Sequence, residues 1–425
     1  MPEPPPVTMS ATLAADALLA RRQQAGEQIL PLTSGEIGLP VLRALRERLA
    51  AAADLGAYGP VAGSTALRTA AAGYWGRRGR ATDPDLVVAG PGSKSLLYAL
   101  LLAIGGDVVI PVPGWVSYAA HARLAGVRPI TVPTAPGEGG VPDPDRLREA
   151  VTLARAAGHD PRAVVVTVPD NPTGTVAGPD TLRRFAAAVR DLDLTVVSDE
   201  IYGDLVYDAA RPAVSPAVLA PERTVVTTGL TKSLALGGWR TGVARLPDSP
   251  AGRELATRLV SVASQIWSSP PAPVQAAAAY AFDEPPQVTA RIAGSRALHE
   301  VVVRAVAARF AATGAELTPI RATCYLYPDF APLRERLERR HGVGDGDALT
   351  RLLLDRYGVG VLPGSAFGEP AGSLRIRVAT SRLYGDTAER RERALTASDP
   401  LRLPWVRASL DRIEEVLTQV TAPPG

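Results

Sequence analysis

The sequence predicts an α/β fold with a mostly parallel sheet flanked by helices, together with a second, smaller α/β unit. Between residues 62 and 250, short runs rich in Val and Ile alternate with helical stretches rich in Ala, Leu and Arg. The short runs are apolar on successive residues, which is typical of strands buried on both faces of a parallel sheet. After about residue 315 the strand-like runs become sparser and mixed, which indicates the second unit.

The elements divide the chain into four segments. Residues 1–12 are Pro-rich and are predicted to be disordered. Residues 13–61 carry two helical stretches, ATLAADALLARRQQAG and LPVLRALRERLAAAADLG, and are expected to join the smaller unit. Residues 62–310 are predicted to form the large domain and residues 311–425 the smaller one. The predicted strands are, in order, DLVVAG, GDVVIPV, RPITVPT, RAVVVTV, LDLTVVSDE, RTVVTTG, CYLYPDF, VGVLPG and SLRIRVATS.

Composition argues against several classes of partner. The net charge of +3 is small for 425 residues, and no basic cluster is interleaved with aromatic residues, so we expect no nucleic-acid partner. The most apolar run, SLLYALLLAIGGDVVIPV, is interrupted by Gly105, Gly106 and Asp107, so we expect no membrane span. The single cysteine, Cys324, forms no internal disulfide, and the scattered histidines show no metal-ligand spacing. With no signal-peptide pattern at the N-terminus, we expect a cytoplasmic protein.

Glycines and polar residues follow five of the predicted strands. Ligands bind beyond the C-terminal ends of the strands in open α/β sheets, so we expect these segments to form one composite site. The first of them is a Gly-rich turn that begins a helix and suits a phosphate, although such a turn can equally be a simple strand-to-helix connection. The five segments are GPGSKS, PGWVSY, PDNPTG, SDEIY and GLTKS.

Lysine is rare in this chain, which makes its positions informative. Only Lys94 and Lys232 occur among 46 basic residues, and the remainder are arginine. Lysine, unlike arginine, has an amine that can lose its proton and form an imine. Lys94 begins the helix of the phosphate-type turn, so Lys232 is the candidate nucleophile. The alternative is that both lysines persist by chance.

An imine-forming lysine combined with a phosphate turn suggests pyridoxal 5′-phosphate. This cofactor needs an acid at its pyridine nitrogen, for which Asp199 is suited. Asn171 and Tyr202 could donate to its phenolic oxygen, Arg240 could hold its phosphate, and Trp115 could stack on its ring.

Four motifs, in this order, resemble those of the class I/II aminotransferases, the aspartate-aminotransferase-like branch of the fold-type I pyridoxal-phosphate enzymes. They are DNPTG, SDEIY, GLTKSLALGGWRTG and LRIRVATS, and the resemblance runs from about Gly35 to Ser381. It implies a seven-stranded, mostly parallel sheet and a smaller domain built from the two chain ends. It also implies a ping-pong transfer of an amino group from an L-amino acid to a 2-oxo acid, and a homodimer with shared active sites.

The resemblance implies a role for each matching residue. Lys232 forms the aldimine and moves the proton at the substrate Cα, Asp199 pairs with the pyridinium, and Tyr202 completes the catalytic set. The implied cofactor contacts are Gly92, Ser93, Lys94, Trp115, Asn171, Asp199, Tyr202, Thr231, Lys232, Arg240 and, from the neighbouring subunit, Tyr58. The implied substrate contacts are Gly35, Trp115, Asn171 and Arg375, with Arg375 as the bidentate binder of the α-carboxylate.

Two positions depart from the family pattern. Gly229 stands where serine is common, so Thr228 or Thr231 is expected to replace a side-chain contact to the phosphate. Arg377 lies two residues after Arg375 and therefore on the same face of a strand. It is either part of a surface ion pair or a second anion site that selects an acidic substrate.

Three functions remain open from sequence. The first is transamination, and the second is another pyridoxal-phosphate reaction, namely elimination, replacement, cyclisation or oxidation of an amino acid. All of these begin with deprotonation at Cα, so the motifs do not separate them. The third is a cofactor-sensing regulator, which would need an N-terminal DNA-binding domain, and the roughly 30 residues before Gly35 are too few for one. The amino acid and the 2-oxo acid are not determined.

Overall fold

The computed structural model describes residues 8–422. The helices are α1 (Ala11–Gln24), α2 (Arg43–Ala51), α3 (Thr65–Arg77), α4 (Ser93–Ile104), α5 (Ser117–Leu124), α6 (Pro144–Ala156), α7 (Pro179–Asp191), α8 (Pro216–Leu219), α9 (Leu230–Ser233), α10 (Pro250–Ile266), α11 (Ala272–Phe282), α12 (Pro286–Ala312), α13 (Arg334–His341), α14 (Gly346–Tyr357), α15 (Ala388–Thr396) and α16 (Pro404–Thr421). The strands are β1 (Leu30–Pro31), β2 (Val87–Gly90), β3 (Asp107–Val112), β4 (Pro129–Pro133), β5 (Pro161–Thr167), β6 (Thr195–Asp199), β7 (Thr224–Gly229), β8 (Gly242–Arg245), β9 (Tyr325–Leu326), β10 (Val359–Gly360), β11 (Leu362–Pro363) and β12 (Ile376–Ala379).

A seven-stranded sheet forms the centre of the molecule, and its strands follow the order β2-β8-β7-β6-β5-β3-β4. The pairs from β7 to β4 are parallel, and β8 runs antiparallel to both of its neighbours. Every residue of β2 and β7 is buried, and β5 has only one exposed position. The predicted fold class, with its mostly parallel sheet of apolar strands, is confirmed.

Helices cover both faces of this sheet. On one face, Leu96 and Leu100 of α4 pack with Leu259 of α10 against strand residues. On the other face, Phe185 of α7 and Leu147 of α6 pack in a second cluster. Fully burying one such side chain contributes about 1.5–3 kcal/mol, so the two clusters hold the strand ends in fixed positions.

The antiparallel strand β8 was missed by the sequence prediction. Its four residues, GVAR, begin at the last glycine of the lysine motif and end in an arginine, so they form no apolar run. The strand pairs Gly90 with Gly242 on one side and Gly229 with Gly242 on the other. It therefore brings the chain that follows Lys232 back beside the turn that begins α4.

The smaller unit is built from both parts of the chain that flank the large sheet. Strand β1 pairs in parallel with β10, and β11-β12-β9 form an antiparallel sheet. Their core includes Leu32, Ile376 and Leu410. Within the predicted N-terminal segment, Leu45 of α2 packs instead with α3 and α11 against the large sheet. Residues 1–7 of the predicted disordered segment lie outside the described residues, and α1 already begins at Ala11.

Helix α12, with 27 residues, joins the two units. Val288 near its start packs with α3 and α11, whereas Val302 and Phe310 lie in the core of the smaller unit. The segment 393–412 supports this core through α16, and Trp405 Nε1 donates to the carbonyl of Tyr384 at 2.9 Å. Between residues 8 and 422, no helix is both long and apolar enough to cross a membrane.

Candidate active site

Residues from five strand ends meet at the C-terminal edge of the large sheet. Gly92 follows β2, Trp115 follows β3, Asn171 follows β5, Asp199 ends β6, and Lys232 lies in α9 just after β7. Strands β5, β6 and β7 are parallel neighbours, so the last three residues lie side by side. This is the edge at which open α/β sheets bind ligands.

Lys232 provides an amine in a largely dehydrated position. Its Nζ atom donates to the carbonyl oxygen of Gly35 at 2.7 Å. Burial lowers the pKa of Lys232 to about 8, and the nearby guanidinium of Arg377 acts in the same direction. A Cβ atom on Gly35 would collide with the Tyr325 hydroxyl and come within 3.5 Å of Nζ. The amine can thus lose its proton near neutral pH, as a nucleophile must.

Asp199 is a buried acid held by two hydroxyl groups. Tyr118 donates to one carboxylate oxygen at 3.0 Å, and Thr227 donates to the other at 3.3 Å. Burial raises the pKa of Asp199 to about 6, although both hydrogen bonds oppose this rise. A cation beside the carboxylate would favour its ionised form, and a protonated pyridine nitrogen is such a cation.

Tyr118 was missed by the sequence reasoning. It lies three residues after Trp115 in PGWVSY, so a helix beginning there places both side chains on one face. The rings of Trp115 and Tyr118 pack edge-to-face, with centroids 5.2 Å apart. The helical spacing after the strand end was the signal that could have identified it.

An amide and two phenols form a connected group next to Lys232. The Nδ2 atom of Asn171 donates to the Tyr202 hydroxyl at 3.5 Å, and the hydroxyls of Tyr202 and Tyr325 are 3.0 Å apart. The Oδ1 atom of Asn171 accepts from Nη1 of Arg377 at 3.2 Å. These contacts connect the large sheet with strands β9 and β12 of the smaller unit.

The two arginines lie in places opposite to those expected from the sequence, with Arg377 in the site and Arg375 outside it. Arg377 is 1% exposed and also donates to the carbonyl of Thr33. Arg375, predicted to bind the substrate carboxylate, is instead 42% exposed in its side chain and paired with Asp329 and Glu369, each at 3.0 Å. Arg377 therefore makes no surface ion pair within the described residues, and it is Arg375 that pairs, half exposed itself, with two largely buried carboxylates.

The point at which strand β12 begins explains why Arg377, and not Arg375, reaches the site. Strand β12 begins at Ile376, so Arg375 lies just before it, and the strand carries Arg377 to Asn171. The two arginines are two residues apart, and a strand places such residues on the same face. The sequence alone does not show which of them reaches the site.

A glycine, an arginine and a helix start form a cradle for an anion. A Cβ atom on Gly92 would come within 2.9 Å of Cζ of Arg240, and one on Gly242 would collide with the backbone nitrogen of Ser93. The guanidinium of Arg240 is held by the Gly237 carbonyl at 2.9 Å. Free N–H groups at the start of α4 and this guanidinium together fit a phosphate.

The departure at Gly229 has a steric cause. A Cβ atom there would lie 2.7 Å from the backbone oxygen of Thr241, so a serine does not fit. Of the two threonines proposed to replace it, Thr228 is buried and donates to the carbonyl of Glu200 at 3.3 Å. Thr231 remains partly exposed at the start of α9, and its use at the cradle stays a prediction.

Lys94 points along the aromatic wall of the site. Its Nζ atom lies 5.1 Å from the centroid of the Trp115 ring. Burial lowers the pKa of Lys94, and the nearby charge of Arg240 adds to this effect. A cation that is partly dehydrated in this way attracts an anion more strongly than one in bulk water.

Tyr58, predicted to serve the neighbouring subunit, lies on the surface of its own chain. Its side chain is 90% exposed, and Leu55 nearby in sequence is 52% exposed. Large side chains exposed in this way are available to a second molecule.

Comparisons of sequence and structure relate this chain to one family of known proteins. The family model for aminotransferase class I and II matches residues 27–388. The chain is 34% identical to a probable aspartate/prephenate aminotransferase of Thermus aquaticus, over 87% of this chain and 92% of that protein. It is 33% identical to an aspartate/prephenate aminotransferase of Thermus thermophilus, with coverages of 88% and 92%. An aspartate aminotransferase structure from T. thermophilus with maleate superposes with a TM-score of 0.81 at 29% identity, covering 96% of this chain and 97% of that one.

Proposed function

We propose how this chain, which belongs to the class I and II aminotransferase family and is an aminotransferase, performs its reaction. The enzyme moves an amino group from an amino acid to a 2-oxo acid. Lys232 carries pyridoxal 5′-phosphate, and the site accepts acidic substrates. The observation that carries this proposal is the position of a lysine of lowered pKa, a buried acid and an anion cradle at one edge of the sheet.

The residues present fit the cofactor. When bound, pyridoxal phosphate supplies an aldehyde for a lysine amine and a ring that withdraws electrons from the substrate. Gly92, Ser93 and Arg240 hold the phosphate, and Trp115 packs on the ring. Asp199, fixed by two hydroxyl donors, stabilises a proton on the pyridine nitrogen.

Lys232 also acts as the base and acid of the reaction. With the substrate bound, the free amine of Lys232 would take the proton from the substrate Cα and hold it for the return transfer. Burial lowers the pKa of Lys232 to about 8, which suits both directions of this transfer near neutral pH. Gly35, whose carbonyl accepts from Nζ, keeps the amine on the substrate side.

Arg377 binds the substrate α-carboxylate. It is buried, its Nε atom has no hydrogen-bond partner, and no carboxylate between residues 8 and 422 lies within 4 Å of it. An uncompensated buried guanidinium is costly, and an arriving carboxylate provides the missing charge and acceptors. Asn171 and the Thr33 carbonyl each hold one terminal nitrogen of the guanidinium, which leaves Nε for the substrate carboxylate.

The acidic substrate class rests on two observations. The relatives named above are aspartate/prephenate aminotransferases, and the solved relative holds maleate, a dicarboxylate. In this chain Lys94 supplies a second cation, distinct from Arg377, at the Trp115 wall. A second carboxylate on the substrate can pair with it.

The active enzyme is a cytoplasmic homodimer. Tyr58 of each subunit, exposed in the single chain, completes the phosphate cradle of the other. The single cysteine, Cys324, is buried and unpaired, which fits a reducing compartment.

A visible absorption spectrum of the purified protein tests this function. Pyridoxal phosphate bound to lysine absorbs in the visible range, and we expect aspartate to remove that band and a 2-oxo acid to restore it. The matched variant Lys232→Arg keeps the charge and removes the imine chemistry, so it should show no such cycle. A cycle that persists in the variant would refute the role of Lys232.

A further inference from the structure

Tyr325, which belongs to the predicted strand CYLYPDF, lies at the centre of the site. It is fully buried on β9, and its hydroxyl is 3.0 Å from that of Tyr202. The centroid of its ring is 4.9 Å from Cζ of Arg377. Its hydroxyl also fills the space that a side chain on Gly35 would need. Tyr325 therefore contacts the phenol that faces the cofactor and the arginine that faces the substrate.

A count of donors and acceptors defines how Tyr202 shares its single proton. A hydroxyl has one hydrogen and accepts through two lone pairs. The Oδ1 atom of Asn171 accepts from Arg377, so its Nδ2 group is the one that donates to Tyr202. If Tyr325 donates as well, both acceptor positions of Tyr202 are used. The proton of Tyr202 is then directed away from both, toward the cofactor.

The guanidinium of Arg377, 4.9 Å from the centroid of the Tyr325 ring, favours Tyr325 as the donor of the pair, because a nearby cation makes a phenol more acidic. Burial raises the pKa of Tyr325, while the cation of Arg377 and the hydrogen bond with Tyr202 oppose that rise. Burial is also the main cause that raises the pKa of Tyr202, and the proximity of Tyr325 adds to it. The more acidic of two hydroxyls is the better donor, and a hydroxyl that receives a hydrogen bond donates its own more strongly.

We propose that Tyr325 is a positioning residue: its hydroxyl donates to Tyr202 and thereby directs the Tyr202 proton to the phenolic oxygen of the bound cofactor. The inference rests on the proposed cofactor site. A donor at the phenolic oxygen disperses the negative charge that stabilises a proton on the lysine–cofactor nitrogen. Tyr325 thus lowers the pH at which that nitrogen loses its proton.

The test is a pH titration of the visible band of the holoenzyme. With Tyr325→Phe, the midpoint should rise by about 0.5 pH unit, as expected when one bond of a hydrogen-bonded chain is lost. Tyr202→Phe should raise it further. In the Tyr202→Phe background, Tyr325→Phe should add nothing, because its effect passes through Tyr202.

Two further proteins sharpen this test. Tyr327→Phe is the matched control, because Tyr327 is buried near Tyr325 and its hydroxyl has no partner within residues 8–422. Its midpoint should equal that of the wild type. Replacing Tyr325 by 3-fluorotyrosine keeps the shape and gives a more acidic hydroxyl, so the midpoint should fall.

Distinct results would overturn the proposal. A midpoint that stays constant or falls in Tyr325→Phe contradicts the direction of the hydrogen bond. An equal shift with and without the Tyr202 hydroxyl shows that Tyr325 does not act through Tyr202. A wild-type protein without any visible band on addition of pyridoxal phosphate overturns the proposed function itself, and with it this inference.

Discussion

The Nη1 atom of Arg377 lies 3.2 Å from the Oδ1 atom of Asn171, and this contact joins the two units of the molecule at the active site. Arg377 belongs to β12 of the smaller unit, and Asn171 follows β5 of the large sheet. The ring of Phe367, whose centroid is 5.1 Å from Cζ of Arg377, packs against the guanidinium together with Tyr325. A substrate bound to Arg377 is therefore positioned against residues of both units.

Arg377→Lys is expected to lower kcat/KM for amino-acid substrates by about 30- to 1000-fold. Truncating one partner of a buried charge pair costs about 2–4 kcal/mol, and lysine lacks the planar fork. Arg375→Lys is the matched control and should change kcat/KM less than about threefold, because lysine keeps the positive charge beside Asp329 and Glu369. Steady-state kinetics check both variants, and a larger loss for Arg375→Lys would restore the sequence-based assignment.

Lys94→Met is expected to reduce the preference for acidic substrates. Loss of a partly buried cation should lower kcat/KM for aspartate about tenfold, with little change for a neutral amino acid. The ratio of the two values is the measurement, and the dissociation constant of the cofactor serves as its control. If the variant bound the cofactor more weakly but kept the same ratio of kcat/KM values, Lys94 would be assigned to the cofactor phosphate instead.

Asp199→Asn is expected to stabilise the cofactor-free protein above pH 6 while abolishing most of the activity. The pKa of Asp199 is about 6 in the folded chain and ordinarily 3.8, so the folded state binds the proton more tightly. This contribution to stability is present at low pH and is lost as pH rises from about 4 to about 6.

The two-unit difference in the pKa of Asp199 corresponds to about 3 kcal/mol at neutral pH, and the amide side chain should recover part of it, because its nitrogen cannot accept a hydrogen bond as the second carboxylate oxygen does. Thermal unfolding of both cofactor-free proteins at pH 4 and pH 7.5 measures it. Asp170, whose pKa burial raises to about 7, contributes in the same direction in both proteins and cancels in the difference. A variant that is less stable than the wild type at pH 7.5 would contradict this account of Asp199.

Gly229→Ala is expected to destabilise the folded protein by about 1–3 kcal/mol, the usual cost of forcing extra atoms into a packed core. The added Cβ atom would lie 2.7 Å from the Thr241 backbone oxygen. Gly203→Ala is the matched control, because nothing lies within 4 Å of its added Cβ atom. Denaturant unfolding compares the two, and equal midpoints would show that the position tolerates the serine common in the family.

The sequence predicted a feature correctly wherever the chemistry or the burial of that feature requires particular residue types. Lys232 stood out because arginine cannot form an imine, and the apolar runs located six strands of the large sheet. Strand β8 was missed because its four residues gain their burial from neighbouring strands, which the local pattern does not show. Long-range pairing of this kind overrides local pattern in short strands.

Residues that act through tertiary contacts were the hardest to predict. The strand period places Arg375 and Arg377 on one face, and only the approach of Asn171 from the other unit distinguishes them. Tyr325 has the alternation of a packing residue, and its hydroxyl contact with Tyr202 joins positions 123 residues apart. No local signal in the sequence carries that contact.

The most direct test of the central claim is to identify the lysine that carries the cofactor. The holoenzyme is reduced with borohydride, digested, and the peptide bearing the pyridoxyl group is sequenced by mass spectrometry. With only two lysines in the chain, the result has few possible outcomes. The account predicts the label on Lys232 and none on Lys94. A label on Lys94, or a reduced protein without any label, would contradict it.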